Sequence, residues 1–245
     1  MTSKTKAEEK RLKILIPTNF SGHGVTAAEY AIELFKDTAG EFILENVYQG
    51  PKGNTGTLIS INDIISRDVN EGLKKEWEFL KSKYKNVSID FQFEEGNPIS
   101  TIKTAVKRNH FDLLVMGHNA HFKRFHKAFI EQPEYWPVML VPQEPFLEKA
   151  KDAIIVSTEE IDGSIITPDF KNLNKRFKGK SHHLIFKAKD VLENLKAEIS
   201  AWQKKYKIGM VVFNISRGCR LETAIREHKL DDFFLSLPPT LLISY

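Results

Sequence analysis

Short apolar runs ended by proline or glycine alternate with stretches of helical period, and this predicts an α/β protein of two tandem doubly wound parallel-sheet domains, the second shortened. Three observations carry that prediction. Strand-like and helix-like segments follow one another without a break through the first half, so the strands are joined by crossovers, which are right-handed by rule. Lys13-Ile14-Leu15-Ile16-Pro17 and Asp112-Leu113-Leu114-Val115-Met116-Gly117 are apolar without alternation, as strands covered on both faces are. The same order then returns, because Ala153 to Ser157, Met210 to Phe213 and Pro239 to Ile243 repeat the first, fourth and fifth strands of the first half.

Residues 1–11 are charged and polar and read as a flexible leader. After the first strand, Thr18 to Gly24 is a glycine-bearing loop, and Val25, Ala28, Ile32 and Phe35 recur at helical spacing, with Gly40 placed to end that helix. Glu41 to Tyr48 is the second strand, and Gln49 to Thr57 a glycine-rich loop. Val69, Leu73, Trp77 and Leu80 keep a helical period over Asp68 to Tyr84. Val87 to Phe93 alternates as a half-exposed strand does. Gly96-Asn97-Pro98 combines a turn, an N-cap and a proline at the first helical position, and Ile99, Ile102, Ala105 and Val106 form the apolar side of the helix it starts.

The central strand, ending at Met116-Gly117, is followed by a polar stretch and then by the proline-bounded fifth strand, Pro137 to Pro142. Gln143-Glu144-Pro145 reads as a linker, so the expected domains are 12–143 and 150–245. In the second, Leu184 to Phe186 is a strand and Asp190 caps a helix carrying Leu195, Ile199, Trp202 and Tyr206. Between Ser157 and Leu184 there are only 26 residues. That is too few for the helix, strand and helix of the first half, so one strand and one helix are expected to be missing.

Composition narrows the function. At 245 residues, 41% hydrophobic and 11% aromatic, the chain builds a substantial core. A net charge of +4, with lysines scattered among nearly as many acids, suits solubility and lacks the clustered basic face of a nucleic-acid binder. No stretch approaches a membrane span and no apolar leader is present, so the expectation is a cytoplasmic protein without membrane contact. The single cysteine, Cys219, excludes an internal disulfide and reads as a packing residue. His118 and His121 lack acidic or thiol neighbours for a metal, and His182-His183 adjoin an apolar strand and would point to opposite faces.

Taken together, Ile14 to Ser21, the Gly96-Asn97-Pro98 turn, Asp112 to Gly117 and Pro137 to Pro142 resemble the universal stress protein family in order and spacing. That resemblance implies the adenine nucleotide alpha hydrolase-like sheet order 3-2-1-4-5, with a nucleotide site where the first and fourth strands diverge. It also implies an intrachain pseudo-dimer packed through the fifth strands, leaving a monomer or a homodimer. Carried onto this chain, the site falls on Pro17, Thr18, Asn19, Val47, Met116, Gly117, His118, Lys123 and Arg124.

The family's phosphate loop has the form G-x-x-G followed later by G-S or G-T. Gly117 matches its first glycine, but Ala120 occupies the second position, where a methyl group obstructs approach of backbone N–H groups to phosphate. His118 to Trp136 contains no glycine, serine or threonine. In the repeat, Asn214 and Arg217 replace both loop glycines, and Asn19 replaces the aspartate of nucleotide binders. Lys123, Arg124 and the nearby histidines could supply side-chain donors to an anion instead; the plainer alternative is a solvated basic helix face. No constellation supports catalysis. The expectation is therefore a non-enzymatic binding or regulatory protein with an unknown protein partner and no required cofactor. The alternative is an ATP- or AMP-binding protein that uses altered contacts.

Overall fold

The structure of the chain, a computed structural model, describes residues 11–18, 22–37, 39–48, 71, 74–118, 128–129, 137–143, 152–158, 181–185, 192–215, 219–227, 229 and 231–244. In the first half these form β1 (Leu12–Pro17), α1 (Gly22–Phe35), β2 (Ala39–Tyr48), α2 (74–83), β3 (Ile89–Glu95), α3 (Pro98–Asn109), β4 (Leu113–His118) and β5 (Val138–Pro142). The second half adds β6 (Asp152–Ser157), β7 (Ser181–Ile185), α4 (Leu192–Lys205), β8 (Ile208–Ile215), α5 (Arg220–Arg226), α6 (Asp231–Leu235) and β9 (Thr240–Ser244).

All nine strands join one sheet in the order β3-β2-β1-β4-β5-β9-β8-β6-β7. The first five are the expected 3-2-1-4-5 arrangement. The second half reads the same way from the junction outward, ends at β7, and lacks a counterpart of β3 among the described residues, as the short interval before Leu184 predicts. Within each half every pairing is parallel; β5 and β9 pair antiparallel, with Met139 opposite Leu241. Small hydrogen bonds repeat across the halves. Leu114 N–H donates to the Pro137 carbonyl and Val211 N–H to the Pro239 carbonyl, each at 3.0 Å, so a proline feeds the fifth strand in the same manner twice.

Side-chain alternation sorts the core into two layers. On one face Leu15, Ile43, Met116, Leu140, Phe213 and Leu242 are buried under α3 and α4; on the other Ile16, Leu44, Val115, Met139 and Val212 are buried, with α1 contributing Ala27, Ala31 and Phe35. Each layer runs through both halves. The α1 helix also reaches across the junction, where the buried Tyr30 hydroxyl donates to the Gly209 carbonyl at 3.3 Å, and burial pushes this phenol above its ordinary range.

Several boundaries differ from expectation. Gly40 lies inside β2 rather than ending α1; a Cβ there would come within 2.8 Å of the Arg11 Cβ, so the glycine permits close approach of the chain before β1. β3 starts two residues late and runs to Glu95, because Val87 is still in the turn. β7 begins at Ser181, so His182 and His183 lie within the strand, and β7 ends at Ile185, short of Phe186. Asn97 caps α3 as predicted, and His110 closes it in the left-handed conformation at φ 51°. The leader, the Gln49 to Thr57 loop, the Glu144-Pro145 linker and the Asp190 cap lie outside the described residues.

Replacing Tyr30 by phenylalanine leaves the Gly209 carbonyl without its buried donor, so denaturant unfolding of Tyr30→Phe is expected to show a loss of about 1 kcal/mol with an unchanged m-value.

Candidate binding site at the strand ends of the first half

The β1–β4 ladder is short. Ile14 pairs with Leu113 and Leu15 with Leu114, after which β1 stays with β2 as far as Pro17 opposite Glu45, while β4 stays with β5 as far as His118 opposite Pro142. Two inner strands whose onward connections run to opposite sides define the topological switch point of an open α/β sheet, where such folds take ligands. The lower end of the same pair is held firmly, since Asp112 Oδ2 accepts from Lys13 N–H and Asp112 N–H donates to the Lys13 carbonyl, each at 2.9 Å. Asp112 thus joins two strands and takes no part in the switch-point end.

Thr18, the residue after β1, is engaged at every polar atom. Its N–H donates to the Glu45 carbonyl (2.8 Å), its carbonyl accepts from Asn46 Nδ2 (2.7 Å), and its hydroxyl donates to Glu76 Oε2 on α2 (2.7 Å). Gly24 in α1 allows this arrangement, because a Cβ there would overlap Thr18 Oγ1. Burial raises the Glu76 carboxyl above the usual carboxylate range, and the Thr18 hydroxyl offsets part of that rise.

Beside Thr18 stands an acid that the apolar reading of β2 passes over. Glu45 is 0% exposed, and neither of its carboxylate oxygens has a hydrogen-bond partner among the described residues. It shares a sheet face with Ile43 and Val47, lies opposite Pro17 and Gln92, and is diagonal to Glu94 of β3. Burial, with a smaller contribution from the Glu94 charge, pushes its carboxyl up to about 7. On the opposite face the Asn46 amide oxygen is likewise buried and unpartnered among the described residues.

Of the residues singled out from sequence, Pro17 and Thr18 end β1, Met116 is buried on β4, Gly117 pairs with Val141, and Val47 lies half-buried two places beyond Glu45. His118 closes β4; its side chain, like Asn19, Ala120, His121, Lys123 and Arg124, lies outside the described residues. The structure therefore brings together the strand-borne part of the set. Sequence reasoning missed Glu45, Asn46, Glu76 and Gly24. The available signal was Glu45 itself, an acid at an inward position of Phe42-Ile43-Leu44-Glu45.

Elsewhere, the lone thiol of Cys219 is half-buried and accepts from the Glu222 N–H at 3.3 Å as the cap of α5. Trp77 and Trp202 pack against the core; Trp136 lies outside the described residues. In the repeat, Asn214 is a buried residue of β8, and Arg217 and Gly218 lie outside the described residues. Among the described residues no group of three or more acidic, histidine or cysteine side chains could hold a metal, and no helix is long and apolar enough to cross a membrane.

A tandem α/β protein with a switch-point end in each repeat is the class that this geometry defines. Residues 10–127 match the model of the universal stress protein family. Among solved structures, a universal stress protein from Archaeoglobus fulgidus DSM 4304 is 13% identical, with a TM-score of 0.62 over 95% of this chain and 96% of that one. Another, titled a putative universal stress protein from Pseudomonas aeruginosa UCBPP-PA14, is 13% identical with a TM-score of 0.50 over 96% of this chain and 94% of that one. The family match thus lies in the first half of the chain, and the tandem fold shared with the Archaeoglobus structure extends over its length. A family protein from Arabidopsis thaliana with AMP bound is 19% identical, covering 54% of this chain and 92% of that one at a TM-score of 0.40. No curated protein matches the chain in sequence.

Two predictions follow from the packing around Thr18. A carboxyl raised by folding contributes most stability below its unfolded value and loses that contribution as pH rises through the folded one. Wild-type stability should therefore fall between pH 4.5 and about 7, by about 3 kcal/mol at about 1.4 kcal/mol per unit, and Glu45→Gln should flatten that part of the urea-midpoint profile. Gly24→Ala should force Thr18 away from Glu76 and cost about 1–3 kcal/mol, read as a lowered melting temperature.

Proposed function

We propose that the chain is a non-catalytic binding or regulatory module of the universal stress protein family whose first half does not hold ATP by the family's phosphate loop. The observation that carries this reading is the commitment of Thr18. Its N–H, carbonyl and hydroxyl are all spent on Glu45, Asn46 and Glu76, so Thr18 offers a ligand no free donor. The adjoining buried group, Glu45, is an acid that repels a polyphosphate when ionised and offers a single O–H donor when neutral.

The chain's own residues support the same direction, since Ala120 stands where a backbone nest needs glycine, and Asn214 and Arg217 break the loop of the repeat. Pairing of β5 with β9 uses the two fifth strands within one chain, consistent with a monomer that meets a protein partner through its surface. Cytoplasmic location fits the composition and the family. The domains assigned to this reading are 12–143 and 150–245.

The competing reading is an adenine nucleotide held through Asn19, Gly117, Lys123 and Arg124. A solved family member with AMP bound and another in complex with cAMP give that reading its ligand class. Protein purified without added nucleotide, then denatured and analysed by chromatography, should release no stoichiometric ATP or AMP. Titration calorimetry with millimolar ATP and magnesium should show no saturable heat. Stoichiometric nucleotide in the denatured supernatant would overturn the proposal.

A further inference from the structure

Glu45 is placed where its charge state bears on the strand end that the first half presents to ligands. The first turn of α3 packs over this face of β2, with Ile99 and Val47 set against the same buried cluster and Ile102 inside it. A helix N-terminus directly above a carboxylate would ordinarily supply backbone donors and a favourable dipole. Here none is available. Pro98 has no N–H, Ile99 and Ser100 N–H groups donate to Asn97 Oδ1 at 3.1 and 3.2 Å, and Thr101 N–H donates to the Asn97 carbonyl at 2.9 Å.

Side chains do not make up the deficit. The charged groups on the same face of β3 are acids, Glu94 and, lower down, Asp90, and Glu41 at the base of β2 is paired with Lys13 of β1 at 3.3 Å. On α3, Lys103 lies over the Phe129 ring at 5.8 Å, and Lys107 and Arg108 belong to the last turn, far from the cap. On β1 the opposite residue is Pro17, and on β4 the buried neighbour is Met116, beyond which comes His118, whose side chain lies outside the described residues. Among the described residues, then, an ionised Glu45 has no donor and no cation to meet it, and its oxygens are enclosed.

A carboxylate in that position is stable only if it loses its charge or reaches water. Reaching water requires the covering turn to move. Gly96 links β3 to the Asn97 cap and its N–H donates to the Tyr48 carbonyl at 2.8 Å, so the sheet holds the chain there, and beyond that point Ile99 packs against the buried cluster and Ile102 lies inside it. We propose that Glu45 is a proton-controlled latch: neutral, it lies closed beneath the first turn of α3, and on deprotonation that turn lifts from β2 and opens the strand end of the first half. The opening exposes Val47, and with it the apolar wall beside Pro17 and Met116. The site then accepts ligand in its open, alkaline form and excludes it in its closed, acidic form.

The identity of this end as a ligand end rests on the switch-point geometry of β1 and β4, and the movement itself is independent of any ligand and of the functional reading. Hydrogen exchange on the full chain without ligand at pH 6 and pH 8, corrected for intrinsic exchange, tests it. Protection of residues 99–102 and of Glu45, Asn46 and Val47 should fall about tenfold or more at pH 8, while β8 and β9 keep theirs. In Glu45→Gln the same amides should be equally protected at both pH values. Equal protection in the wild-type protein, or the same loss in the variant, would overturn the latch. Should the variant fold poorly, carbon-13 detection of the wild-type Glu45 carboxyl alongside the amide signals of residues 99–102 decides: a shared midpoint supports the latch, and amides that do not follow the carboxyl overturn it. Nucleotide binding at either pH would count against the functional reading and leave the latch standing.

Discussion

The antiparallel ladder between β5 and β9 is the interaction on which the rest of the molecule depends. A parallel sheet needs cover on both faces and leaves two bare edges, and each half taken alone would present its fifth strand as a flat apolar edge open to association. Joining those edges within one chain removes both hazards and makes nine strands one sheet. Both core layers then run through the junction, so α1 of the first half can anchor on β8 of the second through Tyr30.

The same sheet order creates the strand end that matters for function. β1 and β4 separate because their partners lie on opposite sides, and the chain has filled the end of β1 with internal bonds rather than leaving donors for a ligand. Thr18 is held by β2 and α2 at once. Glu45 beside it is the exception to an otherwise apolar face, and a buried acid without a donor is costly enough to require a physical explanation. Protonation supplies one, and the fully spent N-terminus of α3 explains why no backbone donor relieves it.

Much of the fold was legible because its signals are local. Ile14 to Pro17, Leu113 to Gly117 and Val138 to Pro142 carry the continuous apolar runs of strands covered on both faces, and Asn97-Pro98 carries a cap whose side-chain bonds form within three residues. Boundaries failed where a distant contact decided them. Gly40 reads as a helix stop, yet it serves a strand because the chain before β1 passes close to it. His182 and His183 read as flanking an apolar strand that starts at Leu184, yet pairing with Ile154 and Ile155 draws them into β7.

For the candidate site, sequence alone determined the strand-borne frame, Pro17, Thr18, Met116 and Gly117, and the absence of the second loop glycine at Ala120. These follow from residue type and short-range order, which are properties of the chain before it folds. Tertiary structure alone decided that Thr18 meets Glu76 from a helix 58 positions away and that Glu45 is enclosed without a partner. The physical reason is that a side chain's protonation and donor count depend on which distant groups surround it, and only the packed sheet brings α2, β3 and α3 around the same strand end.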